Sequence, residues 1–133
     1  MRLRFFCIKA GIYPNEALFR VAKLASADGD KRYERYLCSP LSIVSEIIDD
    51  CDRYLQYIEE IENGMETVIE AGANDIALTF RPSGVQVDIL INDDWCDQPE
   101  GHFELHEWKT VLEGWRRFLG MPEAIESVVE VTL

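Results

Sequence analysis

Residues 39–64 read SPLSIVSEIIDDCDRYLQYIEEIENG, the longest stretch of this chain with a helical period. Ser39 followed by Pro40 is typical of the first turn of a helix, and Asn63-Gly64 is typical of its end. Apolar residues recur every three or four positions and form one broad stripe: Leu41, Val44, Ile47, Ile48, Cys51, Leu55, Ile58 and Ile61. We therefore predict one long amphipathic helix, with Cys51 packed on its buried face.

The outer face of this helix is dense in carboxylates. It carries one arginine, Arg53, among the acidic residues Glu46, Asp49, Asp50, Asp52, Glu59, Glu60 and Glu62. Such a face is either simply solvated or is a binding surface for a partner rich in Lys and Arg.

Downstream of the helix, the hydrophobic period changes to two. NDIALTF places Ile76, Leu78 and Phe80 on one face, and GVQVDILI does the same for Val85, Val87, Ile89 and Ile91. Between them, residues 81–84 read RPSG, which favours a type I turn because proline is second and glycine fourth. We predict a β-hairpin, with residues 65–71 as a further strand ahead of it.

The N-terminal part begins with RLRFFCIK, residues 2–9, an aromatic and β-branched run that predicts a strand. Residues 15–26 fit either a short helix or a strand paired with KRYERYLC, residues 31–38, through the turn-favouring Asp28-Gly29 dipeptide. The alternation of side chains over residues 31–38 favours the hairpin.

The C-terminal part contains a second amphipathic helix that begins near Leu105 and ends at Gly120, ahead of Pro122. Its apolar face is formed by Trp108, Val111, Leu112, Trp115, Phe118 and Leu119. The tail SVVEVTL is either a final strand or an arm that pairs with another copy. Together these elements predict a single α+β domain over residues 1–133, in which a mostly antiparallel sheet packs against one long and one shorter amphipathic helix.

Composition and charge restrict the partners. With 47% hydrophobic residues the chain belongs to the globular class, and no apolar run is long enough to cross a membrane. The formal net charge is −12: residues 1–40 carry 8 Lys or Arg against 4 acids, whereas residues 41–133 carry 5 against 21. This charge argues against nucleic acid or a membrane as a partner, and it favours solubility or association with a basic protein.

Four widely spaced cysteines and the lack of an export signal predict reduced thiols and a cytoplasmic location.

The stretch INDDWCDQPEGHFELHEW, residues 91–108, concentrates potential metal ligands. Cys96, His102 and His106 are suitable ligands for zinc. Histidines four apart share a face only if both lie inside one helix, and a helix that starts near Leu105 leaves His102 outside it. We therefore expect no metal and no cofactor, and an acidic loop in which Trp95 is either packed on the sheet or presented to a partner.

Nothing in the chain selects a catalytic residue. Glycine-rich phosphate loops, G-x-S-x-G and H-E-x-x-H are absent, and among 25 acids a carboxylate pair carries no information. We therefore expect a protein that is not an enzyme. The alternatives are a metal-binding hydrolytic enzyme centred on residues 93–106 and a homo-oligomeric structural or adaptor domain, for instance a homodimer.

The order of the elements, with a Ser-Pro-started long helix, a turn-linked hairpin and a helix that carries EGWRRFLG, resembles a known class of proteins. It is similar to the small acidic immunity proteins of bacterial contact-dependent and other polymorphic toxin systems, over residues 31–120. The resemblance implies a protein that neutralises a cognate toxin by blocking its basic surface or active site. These families share no fixed binding residues, so the candidate contacts follow from charge and exposure: Glu46, Asp49, Asp50, Glu60, Asp93, Asp94, Trp95 and Asp97.

Overall fold

Seven strands form two antiparallel sheets that pack against three helices in the computed structural model, which describes all 133 residues. The strands are β1 (Arg2–Ala10), β2 (Ala17–Leu24), β3 (Ile69–Ala73), β4 (Ile76–Arg81), β5 (Gly84–Ile89), β6 (His102–Phe103) and β7 (Val128–Thr132). The helices are α1 (residues 31–44), α2 (Ile48–Glu62) and α3 (Leu105–Leu119). The predicted α+β class is confirmed, with the strands divided between two sheets.

The first sheet has the order β2-β1-β7, with β1 at its centre. Residues 15–26 therefore do contain a strand, but it pairs along its whole length with β1 and not with residues 31–38. The C-terminal tail is the final strand of the same chain, since β7 pairs with the first half of β1. Main-chain hydrogen bonds between Met1 and Leu133 join the two ends of the chain at this edge.

Helix α1 occupies residues 31–44, so the predicted strand over residues 31–38 is wrong. Asp30 starts the helix by accepting a hydrogen bond from the Arg32 N–H at 3.0 Å. A helical spacing of apolar side chains outweighs the local alternation: Tyr33, Tyr36, Leu37, Pro40, Leu41 and Val44. Ser39 consequently lies inside a helix rather than at its start. A π-helical turn over Glu34–Cys38 precedes Pro40, which has no N–H to donate.

The predicted single helix over residues 39–63 is interrupted at residues 45–47. On one side of the break, the buried Ser45 carbonyl accepts a hydrogen bond from Trp115 Nε1 at 2.7 Å. On the other side, the Asp50 carboxylate accepts hydrogen bonds from the N–H groups of Glu46 at 3.0 Å and Ile47 at 3.3 Å, and so begins α2. Periodicity does not reveal the break because apolar residues continue at helical spacing across it.

The second sheet has the order β3-β4-β5-β6, and the predicted hairpin is confirmed as β4 and β5. Gly84, at the start of β5, has a φ of +137° and lies so close to the Phe103 carbonyl that only glycine fits. Two boundaries differ from prediction: β3 begins at Ile69, and Ile91 lies beyond β5, exposed rather than on the buried face.

One cluster of 27 buried apolar residues joins both sheets and all three helices. The rings of Phe5 and Trp115, 5.1 Å apart and nearly perpendicular, hold the first sheet to α3. Tyr54 stacks on Phe80 at 6.1 Å and holds α2 to the second sheet. Cys51 is fully buried in this core, as predicted. No helix has the length and apolar character that a membrane-spanning helix requires.

Candidate functional site

The two histidines of residues 91–108 lie on different elements. His102 is in β6, and His106 is in the first turn of α3, which begins at Leu105 as predicted. The His102 ring lies against Gly84, whereas His106 Nδ1 is 3.0 Å from the Glu104 carboxylate. The spacing of four residues therefore does not bring the two imidazoles to one face of a helix.

Cys96 has a separate environment. Its thiol points to the carbonyls of Ile89 at 3.6 Å and Asn92 at 3.7 Å. Desolvation raises the pKa of the Cys96 thiol, and three neighbouring aspartates raise it further. The thiolate, which is the form that binds metals, is therefore disfavoured. No group of three or more His, Cys, Asp or Glu side chains is placed to hold a metal ion.

Trp95 packs onto the body of the protein, which is the first of its two predicted environments. Its indole is partly buried against the hydrophobic core. The Arg35 guanidinium, from α1, lies over it at 4.8 Å from the ring centre.

The loop around Trp95 is held by side-chain to main-chain hydrogen bonds. Asn92 accepts one from the Asp94 N–H at 3.0 Å, and Asp88 accepts one from the Asp97 N–H at 2.8 Å. The side chains of Asp93, Asp94 and Asp97 remain exposed. The three predicted loop carboxylates are thus available to a partner, on a loop with a defined shape.

A groove of about 960 Å³ lies beside Trp95 and is called the Trp95 groove below. Its apolar lining residues include Pro40, Ile43, Ile76 and Ile89. Its charged lining residues are of both signs: Lys31, Arg32, Arg35, Asp30, Glu34, Asp94 and Glu100. Three cations among four carboxylates give this groove little preference for a basic partner. The Trp95 groove is not apparent from the sequence, because the alternation of residues 31–38 predicts a strand where the structure has a helix.

The four candidate contacts on or near α2 are not equivalent. Glu46 and Asp49 are exposed. Asp50 is already engaged, because its carboxylate caps α2 and lies 3.1 Å from the Arg53 guanidinium. Glu60 is half-buried and accepts a hydrogen bond from Gln56 at 3.4 Å. None of the four lines the Trp95 groove, so the predicted helix and loop residues do not share that groove.

A second groove, of about 430 Å³, runs between α2 and α3 and is called the acidic groove below. Its charged lining residues are Asp52, Glu59, Glu62, Lys109 and Glu113. The two helices are joined beside it by Arg116, whose Nε donates to the Asp52 carboxylate at 2.6 Å. Four carboxylates and one lysine make this the more negative of the two grooves.

None of the eight predicted contacts lines the acidic groove. Asp52, Glu59 and Glu62 belong to the acidic helix face described above, but Lys109 and Glu113 were not singled out. The available signal was their spacing of four residues on the polar side of the second helix. That α2 and α3 lie side by side is a tertiary fact that local patterns do not carry.

Most carboxylates of the chain have no cationic neighbour. Of the 21 in residues 41–133, only those of Asp50, Asp52 and Glu123 lie within 4.0 Å of a lysine or arginine nitrogen. The surface formed by these residues is therefore strongly negative, and its charge is largely uncompensated within the chain.

Comparison with protein families, with curated proteins and with solved structures gives no match to this chain. The resemblance to immunity proteins therefore stays a prediction.

Proposed function

We propose that this chain is a non-enzymatic, cytoplasmic immunity protein that binds a basic bacterial toxin through the acidic groove. The observation that carries the proposal is the groove itself, in which four carboxylates and one lysine line the junction of two packed helices. Carboxylates held close together repel one another, and cations of a partner relieve that repulsion when they enter.

The groove is built on rigid elements. Stacking of Tyr54 on Phe80 fixes α2, and contact between Trp115 and Phe5 fixes α3. The backbone that carries its carboxylates is therefore in place before a partner arrives, and Arg116 also holds the Asp52 carboxylate. Leu55 also lines the groove and is suited to contact the methylene stem of a lysine or arginine whose charged head meets the carboxylates.

The proposed mechanism is occlusion of the toxin's own cationic surface. An enzyme that acts on nucleic acid carries Lys and Arg around its active site, because it must bind phosphates there. A protein that neutralises those cations competes directly with the substrate. The exposed Glu46 and Asp49 extend the negative surface along α2, and the loop carboxylates Asp93, Asp94 and Asp97 offer a second negative region.

Co-expression tests the proposal. The product of the gene adjacent to this one is expressed in a bacterial host with and without this chain, and growth is measured. The proposal expects protection by the wild-type chain and its loss in the double variant Glu59→Lys/Glu62→Lys.

The matched control is Asp75→Lys/Glu126→Lys, which makes the same change of charge at exposed positions outside both grooves. It should protect like the wild type. A neighbour that is harmless, or a toxin that kills whether or not this chain is present, would contradict the proposal.

A further inference from the structure

The outer face of the first sheet is apolar and uncovered. Helix α3 packs on the inner face, where Phe5 and Val131 contact it. The outward side chains form the adjacent cross-strand pairs Phe6↔Val21, Phe6↔Val128 and Ile8↔Phe19. None of these five side chains is buried, and Phe19 is 50% exposed. A contiguous apolar patch of this kind marks an interaction surface. It is called the outer sheet face below.

The two ends of the outer sheet face differ in charge. At the end near the chain termini, Arg4 lies between Lys23 and Glu130, and Arg2 follows. Lys23 lies 3.6 Å from the Glu34 carboxylate. Arg2 and Arg4 still leave this end positive, in a chain whose net charge is −12.

The other end is the tip of the β1–β2 hairpin, which extends beyond the last residue of β1 that pairs with β7. Ile12 and Tyr13 form the tip and are 85% and 83% exposed. The Glu16 carboxylate lies beside it, 2.9 Å from Lys9 Nζ. This end therefore presents an aliphatic side chain and an aromatic ring, and the carboxylate beside them is already paired with Lys9.

We propose that two copies of this chain form a dimer through the outer sheet face, independently of the acidic groove. The geometry points to a two-fold axis that lies in the plane between the two facing sheets. It runs perpendicular to β1 and passes close to Ile8. Arg4 precedes Ile8 by four residues and Ile12 follows it by four, a reach of about 13 Å in an extended chain. Such an axis brings the basic end of each copy to the hairpin tip of the other, so one surface is complementary to itself.

The chemistry at both places is favourable. Ile8 and Phe19 of the two copies pack together at the centre and lose their contact with water. At each end, the Arg4 guanidinium meets the Tyr13 ring of the other copy in a cation–π contact. Arg4 already lies 5.4 Å from the centre of the Phe6 ring in its own chain, so it is positioned at the margin of the apolar patch. An axis parallel to β1 would instead place cation against cation.

Sedimentation velocity of the full chain over a range of concentrations tests this proposal. The mass is expected to rise from 15.3 kDa to twice that value. Phe19→Lys should raise the dissociation constant at least about tenfold. The matched control is Ile91→Lys, which is also an exposed apolar residue but lies outside the outer sheet face, and it should leave the constant unchanged. Ile12→Lys is a second variant. Because Ile12 is exposed at the hairpin tip, this substitution should not unfold the chain, so a loss of the dimer would reflect the lost contact.

Three results would overturn the dimer. The first is a chain that stays monomeric up to about 1 mM. The second is a dimer that neither Phe19→Lys nor Ile12→Lys weakens. The third is a monomer that binds phosphatidylserine vesicles and loses this binding in Phe19→Lys, because the face would then belong to a membrane. Loss of the dimer leaves the acidic groove intact. A monomeric chain that still protects against the toxin would therefore contradict the dimer and not the proposed function.

Discussion

The buried indole of Trp115 donates a 2.7 Å hydrogen bond to the carbonyl of Ser45. In an unbroken helix that carbonyl would accept from the N–H of residue 49, four positions later. Its hydrogen bond to Trp115 instead lies at the break between α1 and α2. The contact therefore ties α3 to the break that precedes α2, and α2 and α3 form the two walls of the acidic groove.

Trp115→Phe is expected to destabilise the protein more than Trp108→Phe. Both tryptophans are buried in α3, but Trp108 Nε1 has no hydrogen-bond partner, so only the Trp115 variant leaves a buried carbonyl unpaired. The difference in the free energy of unfolding should be about 1–3 kcal/mol, measured by urea denaturation. Equal losses in the two variants would show that the Ser45 contact does not stabilise the break.

Asp50→Ala is expected to lower the free energy of unfolding by about 1 kcal/mol, because its carboxylate accepts hydrogen bonds from two N–H groups at the start of α2. Asp49→Ala, at an exposed neighbour, is the control and should change it by less than about 0.5 kcal/mol. Asp50→Asn keeps an acceptor oxygen and should recover part of the loss. If both alanine variants unfold alike, Asp50 is not the cap.

Stability should fall as the pH rises above 9. Burial, together with a smaller effect of nearby carboxylates, raises the pKa of the Cys38 and Cys51 thiols to about 12. Below pH 9 both thiols are protonated in the folded and unfolded chain. Above it the unfolded chain loses these protons and the folded chain keeps them, so the stabilising effect is lost progressively as the pH rises through about 12.

Cys51→Ala isolates one of these thiols. Between pH 8 and pH 10, its free energy of unfolding should decline by about 1.4 kcal/mol less than that of the wild type. Chemical denaturation at the two pH values measures this difference. Parallel declines would mean that Cys51 ionises equally in both states.

Salt should stabilise the folded chain. Most carboxylates of residues 41–133 lack a cationic partner, and their mutual repulsion is screened as the Debye length falls from about 30 Å at 0.01 M to about 8 Å at 0.15 M ionic strength. We expect the midpoint of thermal unfolding to rise with NaCl, and to rise less in Glu59→Lys/Glu62→Lys. A midpoint that falls with salt would indicate that the few ion pairs outweigh the repulsion.

Elements defined by one local pattern were predictable from the sequence. The β4–β5 hairpin has strict alternation around RPSG, and α3 has a full apolar stripe with Gly120 at its end. Residues 31–38 were not predictable, because the alternation of Tyr33, Arg35 and Leu37 competes with the helical spacing of Tyr33, Tyr36, Leu37 and Leu41. The Asp30 cap and the burial of Tyr36, Leu37 and Leu41 in the core favour the helix.

Tertiary contacts explain the remaining differences. The break at residues 45–47 depends on Trp115, which is 70 residues away, and no local signal contains it. The capping role of Asp50 is not apparent from the sequence, because an exposed acidic side chain and a helix-capping one look alike there. The acidic groove requires α2 and α3 side by side, so its second wall became visible only in the structure.

Binding of a basic partner at the acidic groove can be measured with purified proteins. Isothermal titration of the adjacent gene's product with the wild-type chain, with Glu59→Lys/Glu62→Lys and with Asp75→Lys/Glu126→Lys tests it most directly. The groove variant is expected to bind at least about tenfold more weakly than the wild type, whereas the control should stay within about threefold. Equal weakening in both variants would show that net charge alone, and not the groove, determines the affinity. Unchanged binding by the groove variant would show that the partner does not bind at the acidic groove.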